Sequence, residues 1–421
     1  MHDGLSLDQA PPFIVVIRFF LAVPFFGLAL SALMFIHPDE VLTPLHPLSL
    51  AALHLTFLGV ISMSMIGALF QMQSVLGGRP IPSPSGNGLI IHTFLTLGVV
   101  MLAGAFAFTL PELFILASVL LGAAIVHTAN LVLPLLFGGI AHGTLRGMRL
   151  ALVSLTLAAL LGIIMAVSYA NGSFGPYHEA IRMSHYSLGL VGWVGVLIIA
   201  VAFQVVEMFY VTTPYSPWCK RNAFRIVAAA LAFKIAALFW GWTYAWVFDL
   251  APAALLVGFA VTTLRRVRER KRRVSDVSIR FWILGIFLLL LATAAHTAYL
   301  LSGTAVLETA ALIAFALFAL SVILGMMGKI VPFLVWFHLS SAGYSDAPVM
   351  SGIIPPARTE ILFRLFSLAA AASVAGVFFP SFFAAGGLFA AAAFALLFYS
   401  LLQALRLYRH TLSHGTRFTQ E

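Results

Sequence analysis

The chain has 421 residues, 62% of them hydrophobic and 9% charged, a balance that leaves too little polar surface for a water-soluble fold. Its formal charge is +9, but the basic residues fall in short connections between apolar runs, which argues against a nucleic-acid surface and for a role in membrane topology. The single cysteine, Cys219, cannot form an internal disulfide and leaves no cysteine cluster for zinc or an iron–sulfur centre. The expectation is an all-α, polytopic membrane bundle of about 12 transmembrane helices forming one domain over residues 1–421, because helices satisfy their backbone polar groups internally in lipid.

Apolar runs of spanning length lie near 13–36, 49–77, 88–110, 112–137, 149–170, 182–211, 222–247, 249–264, 278–302, 306–331, 360–382 and 385–408. The first exceeds a signal-peptide core and lacks a basic lead, so it reads as the first span. Arg79, then Arg146 and Arg149, then Lys220, Arg221 and Arg225, then the run from Arg265 to Arg273, then Arg358, and finally Arg406, Arg409 and Arg417 occupy every second connection. By the positive-inside rule those connections, and both termini, face the cytoplasm of an inner or cytoplasmic membrane. Arg182 is the one basic residue of 171–182 on the other side. The run from Arg265 reads as an orientation signal, and the connection from Leu339 to Thr359, rich in Pro, Gly and Ser, as an ordered connector or a partner contact.

Spans 2 and 6 resemble each other. His54, Leu58-Gly59 and Phe70-Gln71 recur as His185, Leu188-Gly189 and Phe203-Gln204. A spacing of four helices puts the next equivalent at span 10, giving three four-helix units. Span 10 fits less well: it starts with Glu308 and closes on Gly325-Met326-Met327-Gly328-Lys329.

Ionisable groups inside a bilayer are costly unless paired, hydrated or ligated, so each intramembrane histidine is a candidate. His54, His185 and His296 fall within about two turns of the outer ends of spans 2, 6 and 9. Three imidazoles at one depth suit haem or copper ligation; the alternative is that each bonds a neighbouring helix or lines water. His92 falls near the inner end of span 3 and His127 at mid-depth in span 4. His37, His46, His142, His178, His338, His410 and His414 fall in loops or at ends, with His46 and His178 placed to cover an outer site. Lys234, near the middle of span 7, needs a carboxylate, water or an anionic substrate, or a structural bond to carbonyls. Glu207, Glu308 and Glu112 are candidate relay members. Met63, Met65 and Met72 form either a soft-metal ladder for Cu(I) or packing. Trp240, Trp242, Tyr244 and Trp246 read as an interfacial aromatic belt at the outer end of span 7.

Twelve spans with inside termini, His54 early in span 2 and His185 early in span 6 resemble the catalytic subunit of the haem–copper oxidases. Arg18-Phe19-Phe20-Leu21, His54 with Leu58-Gly59, and Gly325-Met326-Met327 followed by Lys329 are similar to the NnrS family of haem- and copper-containing membrane proteins linked to nitric oxide stress. The oxidase resemblance implies that His54 ligates a haem and His185 a copper. It also requires a histidine in span 7 and a His-x-His in span 10, and neither span contains any histidine. The expectation is therefore a haem-binding protein, with haem of b type and copper as a further option, that handles electrons or a diatomic gas without a complete binuclear centre. Its partners are the bilayer and an electron donor or gas. His54 and His296 are the expected axial pair, His185 is the alternative ligand or a copper remnant, and Lys234, Glu207 and Glu308 tune charge or protons. The rival is a proton-coupled secondary transporter with a midplane site around Lys234, Glu207 and the histidines.

Overall fold

The computed structural model describes residues 6–138, 143–271 and 276–417. His142, Arg272 and Arg273 lie outside the described residues. Twelve described helices are long and apolar enough to cross a bilayer: α1 (Phe13–Ile36), α2 (Pro47–Gly77), α3 (Pro84–Phe108), α4 (Pro111–Gly138), α5 (Gly143–Asn171), α6 (His178–Tyr210), α7 (Pro217–Phe239), α8 (Ala245–Arg268), α9 (Val277–Ser302), α10 (Ala305–Ser341), α11 (Pro356–Gly376) and α12 (Pro380–His414). An even number of crossings brings α12 back to the side from which α1 starts, here called the terminal face.

The boundaries follow local chemistry. α2, α3, α4, α7, α11 and α12 each begin on proline, whose missing N–H is no loss in a first turn. α2 stops at Gly78 and α9 at Gly303, both at positive φ, where a Cβ is disfavoured. Two expected boundaries are corrected. α7 ends at Phe239 rather than 247, because Gly241 turns at φ +73° and the Trp242 amide bonds back to the Ala237 carbonyl. Trp240, Trp242 and Tyr244 thus occupy the connection, and Trp246 the 3-10 turn that opens α8. α10 runs to Ser341 rather than 331, with Pro332 inside it. Proline removes one helical bond without ending a membrane helix whose neighbours hold it. His338 therefore lies in a helix, against Phe13 and Phe337, rather than in a loop. What remains of the 339–359 connection contains the short helix Met350–Ile353 and a bridge from Tyr344 to Arg417.

Sequence neighbours pack side by side around the bundle, and α12 closes on α1. α2, α6 and α10 are enclosed, each 72% buried along its most apolar stretch, against 22% for α8 and 33% for α7. Two of these inner helices, α2 and α6, are the ones that begin alike. Side chains of all three inner helices line a small central cavity of about 90 Å³, together with Met148 of α5 and Trp282 of α9. Met65, Met72, Met326 and Met327 face this cavity, whereas Met63 is fully buried.

Both α2 and α6 depart from α-geometry at the same place, with π-helical stretches at Leu55–Ser62 and Leu188–Gly195. Such widened turns weaken the helical ladder and persist where tertiary contacts hold them. One contact joins the two stretches directly: buried Trp193 donates its indole N–H to Ser62 Oγ at 2.8 Å. Close approach is also built in at Gly59, where an added Cβ would stand 2.6 Å from Phe26, and at Gly325, where it would stand 2.5 Å from Phe281.

Candidate cofactor site

His54 stands seven residues past Pro47, and His185 seven past His178, so the two reach the same depth on adjacent inner helices. Their ring centres are 6.4 Å apart, with planes inclined by 36°. Each ring is oriented by a backbone carbonyl: His54 Nδ1 bonds Leu50 O at 2.8 Å within its own helix, and His185 Nδ1 bonds Ala158 O of α5 at 2.8 Å. In a neutral ring a carbonyl accepts only from N–H, so both protons sit on Nδ1 and both Nε2 atoms keep a lone pair. No hydrogen bond engages either Nε2 among the described residues.

The surroundings fix the pair further. Phe106 of α3 stacks on His54 at 5.4 Å and 19°. Phe114 of α4, Tyr169 of α5 and His178 continue that aromatic wall toward the face opposite the termini. Gly162 of α5 lies under His185, where a Cβ would come within 3.0 Å of Cε1. Gly189, one turn beyond His185, has open space where a Cβ would point.

The donor set decides what can bind. Among the described residues no group of three or more His, Cys, Asp or Glu side chains converges on a metal-sized point. Zinc sites built from protein alone take three or four ligands. Haem iron takes four nitrogens from its own macrocycle and asks the protein for at most two axial groups. His54 and His185 would be the residues to hold that group, each through the Nε2 that its Nδ1 bond leaves without a proton.

His296 is placed elsewhere. Its Nε2 stands 3.9 Å from Asp249 Oδ2, and Lys234 Nζ donates to both Asp249 oxygens at 2.7 Å. No contact joins His296 to His54 among the described residues. Lys234 is not central in α7: it lies five residues before the end at Phe239, about 8 Å from it. This correction follows from the early stop of α7. Tyr186, next to His185 on α6, lies within electrostatic reach of Asp249, Glu308, Tyr299 and Arg182, and Arg182 pairs with Glu179 at 2.6 Å. Asp249 was not singled out from the sequence, although a carboxylate was one of the partners expected for Lys234 and Asp249 is the one acidic residue within α8.

The other candidates have local roles in the structure. Glu207 binds Lys220 at 2.7 Å and accepts the Tyr215 amide, fixing the α6–α7 connection. His127 bonds Asn87 of α3 at 2.9 Å, and His46 caps α2 through Leu48 N. His92 packs edge-on to Phe19, with no partner for its Nε2 among the described residues. Fold and site together define a multi-pass α-helical membrane protein with a half-buried imidazole pair. No protein-family model matches the chain, and no curated protein matches it.

Proposed function

We propose that this protein binds a haem of b type between His54 and His185 and uses it in electron transfer or in the handling of a diatomic gas such as nitric oxide or oxygen. The carrying observation is the pair of imidazoles at equal depth, 6.4 Å apart, each oriented through Nδ1 so that Nε2 is left for a metal. The single cysteine favours a haem held without paired thioether links. When bound, haem supplies a reversible one-electron couple and a site for diatomic ligands. The chain supplies orientation: the Leu50 and Ala158 carbonyls raise imidazole basicity, and the aromatic wall of Phe106, Phe114 and Tyr169 limits water. Among the described residues no third His, Cys, Asp or Glu side chain joins the pair, which supports a reading short of a binuclear centre. Loop charge supports a cytoplasmic position for both termini and the terminal face.

The test is the absorption spectrum of detergent-purified protein, as isolated and after dithionite, with iron and copper measured on the same sample. Wild type and His296→Ala should show sharp reduced bands with stoichiometric iron, and His54→Ala and His185→Ala should lose them while remaining helical. Loss in His296→Ala with retention in His185→Ala would reject the pair. A flat wild-type spectrum after haem-replete expression would reject haem altogether and favour the proton-coupled transporter.

A further inference from the structure

A second, larger hollow of about 420 Å³ lies between α6, α7 and α8, toward the terminal face. Its walls are apolar, formed by Val196, Phe203, Phe224, Val227 and Phe259 among others, and its mouth carries Arg265, Arg266 and Glu269. α7 and α8, which bound it, are among the least buried helices, so the hollow adjoins the lipid. Arg266 is positioned by Thr213 Oγ1 and lies over the Tyr215 ring at 5.8 Å, and the Tyr215 hydroxyl is itself joined to Thr263 at 2.9 Å. Neither Arg265 nor Arg266 forms an ion pair with a carboxylate among the described residues, Glu269 included. The volume is that of a small-molecule site.

We infer that this hollow binds an anionic phospholipid, with an acyl chain between α6, α7 and α8 and the phosphate on Arg265 and Arg266. Charge and polarity select this occupant. Two guanidiniums lacking carboxylate partners match a phosphate diester, which arginine binds in a bidentate manner. Beyond them Val196, Ile199, Phe203, Phe224, Val227, Leu255 and Phe259 offer a hydrocarbon chain apolar contact, which a small water-soluble anion would leave unused. Basic pockets between membrane helices at the cytoplasmic side recognise such headgroups. Arginines placed only for topology have no need of an apolar hollow behind them.

Cys219 lines the hollow and is the single cysteine of the chain, so its alkylation reads occupancy without any engineered probe. The experiment uses the full-length protein in detergent and measures the rate of N-ethylmaleimide labelling while dioleoyl phosphatidylglycerol or dioleoyl phosphatidylcholine is titrated in. Phosphatidylglycerol should slow labelling at least about tenfold at saturation, at concentrations where phosphatidylcholine does not. Arg265→Gln with Arg266→Gln should shift the half-protecting concentration upward by about tenfold or more, as expected for two lost headgroup contacts. Arg268→Gln with Lys271→Gln removes the same charge outside the hollow and should leave protection unchanged. Equal protection by both lipids, no protection by either, or equal shifts in the two double variants would each overturn the inference. The wild-type comparison of headgroups stands even if the arginine variant does not fold.

Discussion

Replacing Asp249 with Asn strands Lys234, which is 4% exposed, without its carboxylate. In the structure both Asp249 oxygens accept from Lys234 Nζ at 2.7 Å, and His296 is the next cationic candidate at 3.9 Å. Breaking a buried pair by removing one partner costs about 3–5 kcal/mol, most of it the desolvation of the charge left behind. Removing both partners restores most of that loss, because two desolvation costs vanish with the attraction they opposed. The expected order of stability in an SDS titration followed by circular dichroism is therefore wild type close to Lys234→Met/Asp249→Leu, with Asp249→Asn and Lys234→Met each lower, and Asp249→Asn the lowest. Iron content should stay near wild type in all folded variants, since neither Lys234 nor Asp249 contacts His54 or His185 among the described residues. Single variants within about 1 kcal/mol of wild type, or a double variant as weak as the singles, would show that Lys234 is hydrated in the protein and that the ion pair is not what accommodates it.

Further outcomes test other parts of the structure. Gly162→Ala should push His185 by a few tenths of an ångström, since the new Cβ would stand 3.0 Å from Cε1; a lower haem affinity or shifted reduced bands with unchanged helicity is the expected readout. Ser62→Ala leaves the buried Trp193 indole N–H without an acceptor and should cost about 1–3 kcal/mol in the same titration. Burial of Asp276 works to raise its pKa, but bonds from Lys329 and Ser278 outweigh it and hold the carboxyl below its ordinary 3.8. The unfolded chain binds that proton more readily, so the contribution is present above pH 3.8 and fades as pH falls through the lower folded value. The stability gap between wild type and Asp276→Asn should accordingly close in acid, and a gap that widens there would contradict the pairing.

Much of this molecule is legible in the sequence because lipid imposes its rules residue by residue. Span number and order follow from the length of hydrocarbon a helix must cross, and the inner helices were signalled by the matched His, Leu-Gly and Phe-Gln positions of α2 and α6. Boundaries failed where proline and glycine act through context: Pro332 did not end α10, whereas Gly241 ended α7 early. Depth was readable too, since His54, His185 and His296 can be counted from helix ends. What counting could not give is azimuth around each helix and the choice of neighbour. Those are set when α2 and α6 join through Trp193 and Ser62 and their π turns re-aim the residues beside them. Tertiary packing alone therefore brought His185, not His296, to His54, and turned His296 toward Asp249 and Lys234. Hydropathy fixes how far a residue sits along its helix, but only the contacts between helices decide which side chains meet across them.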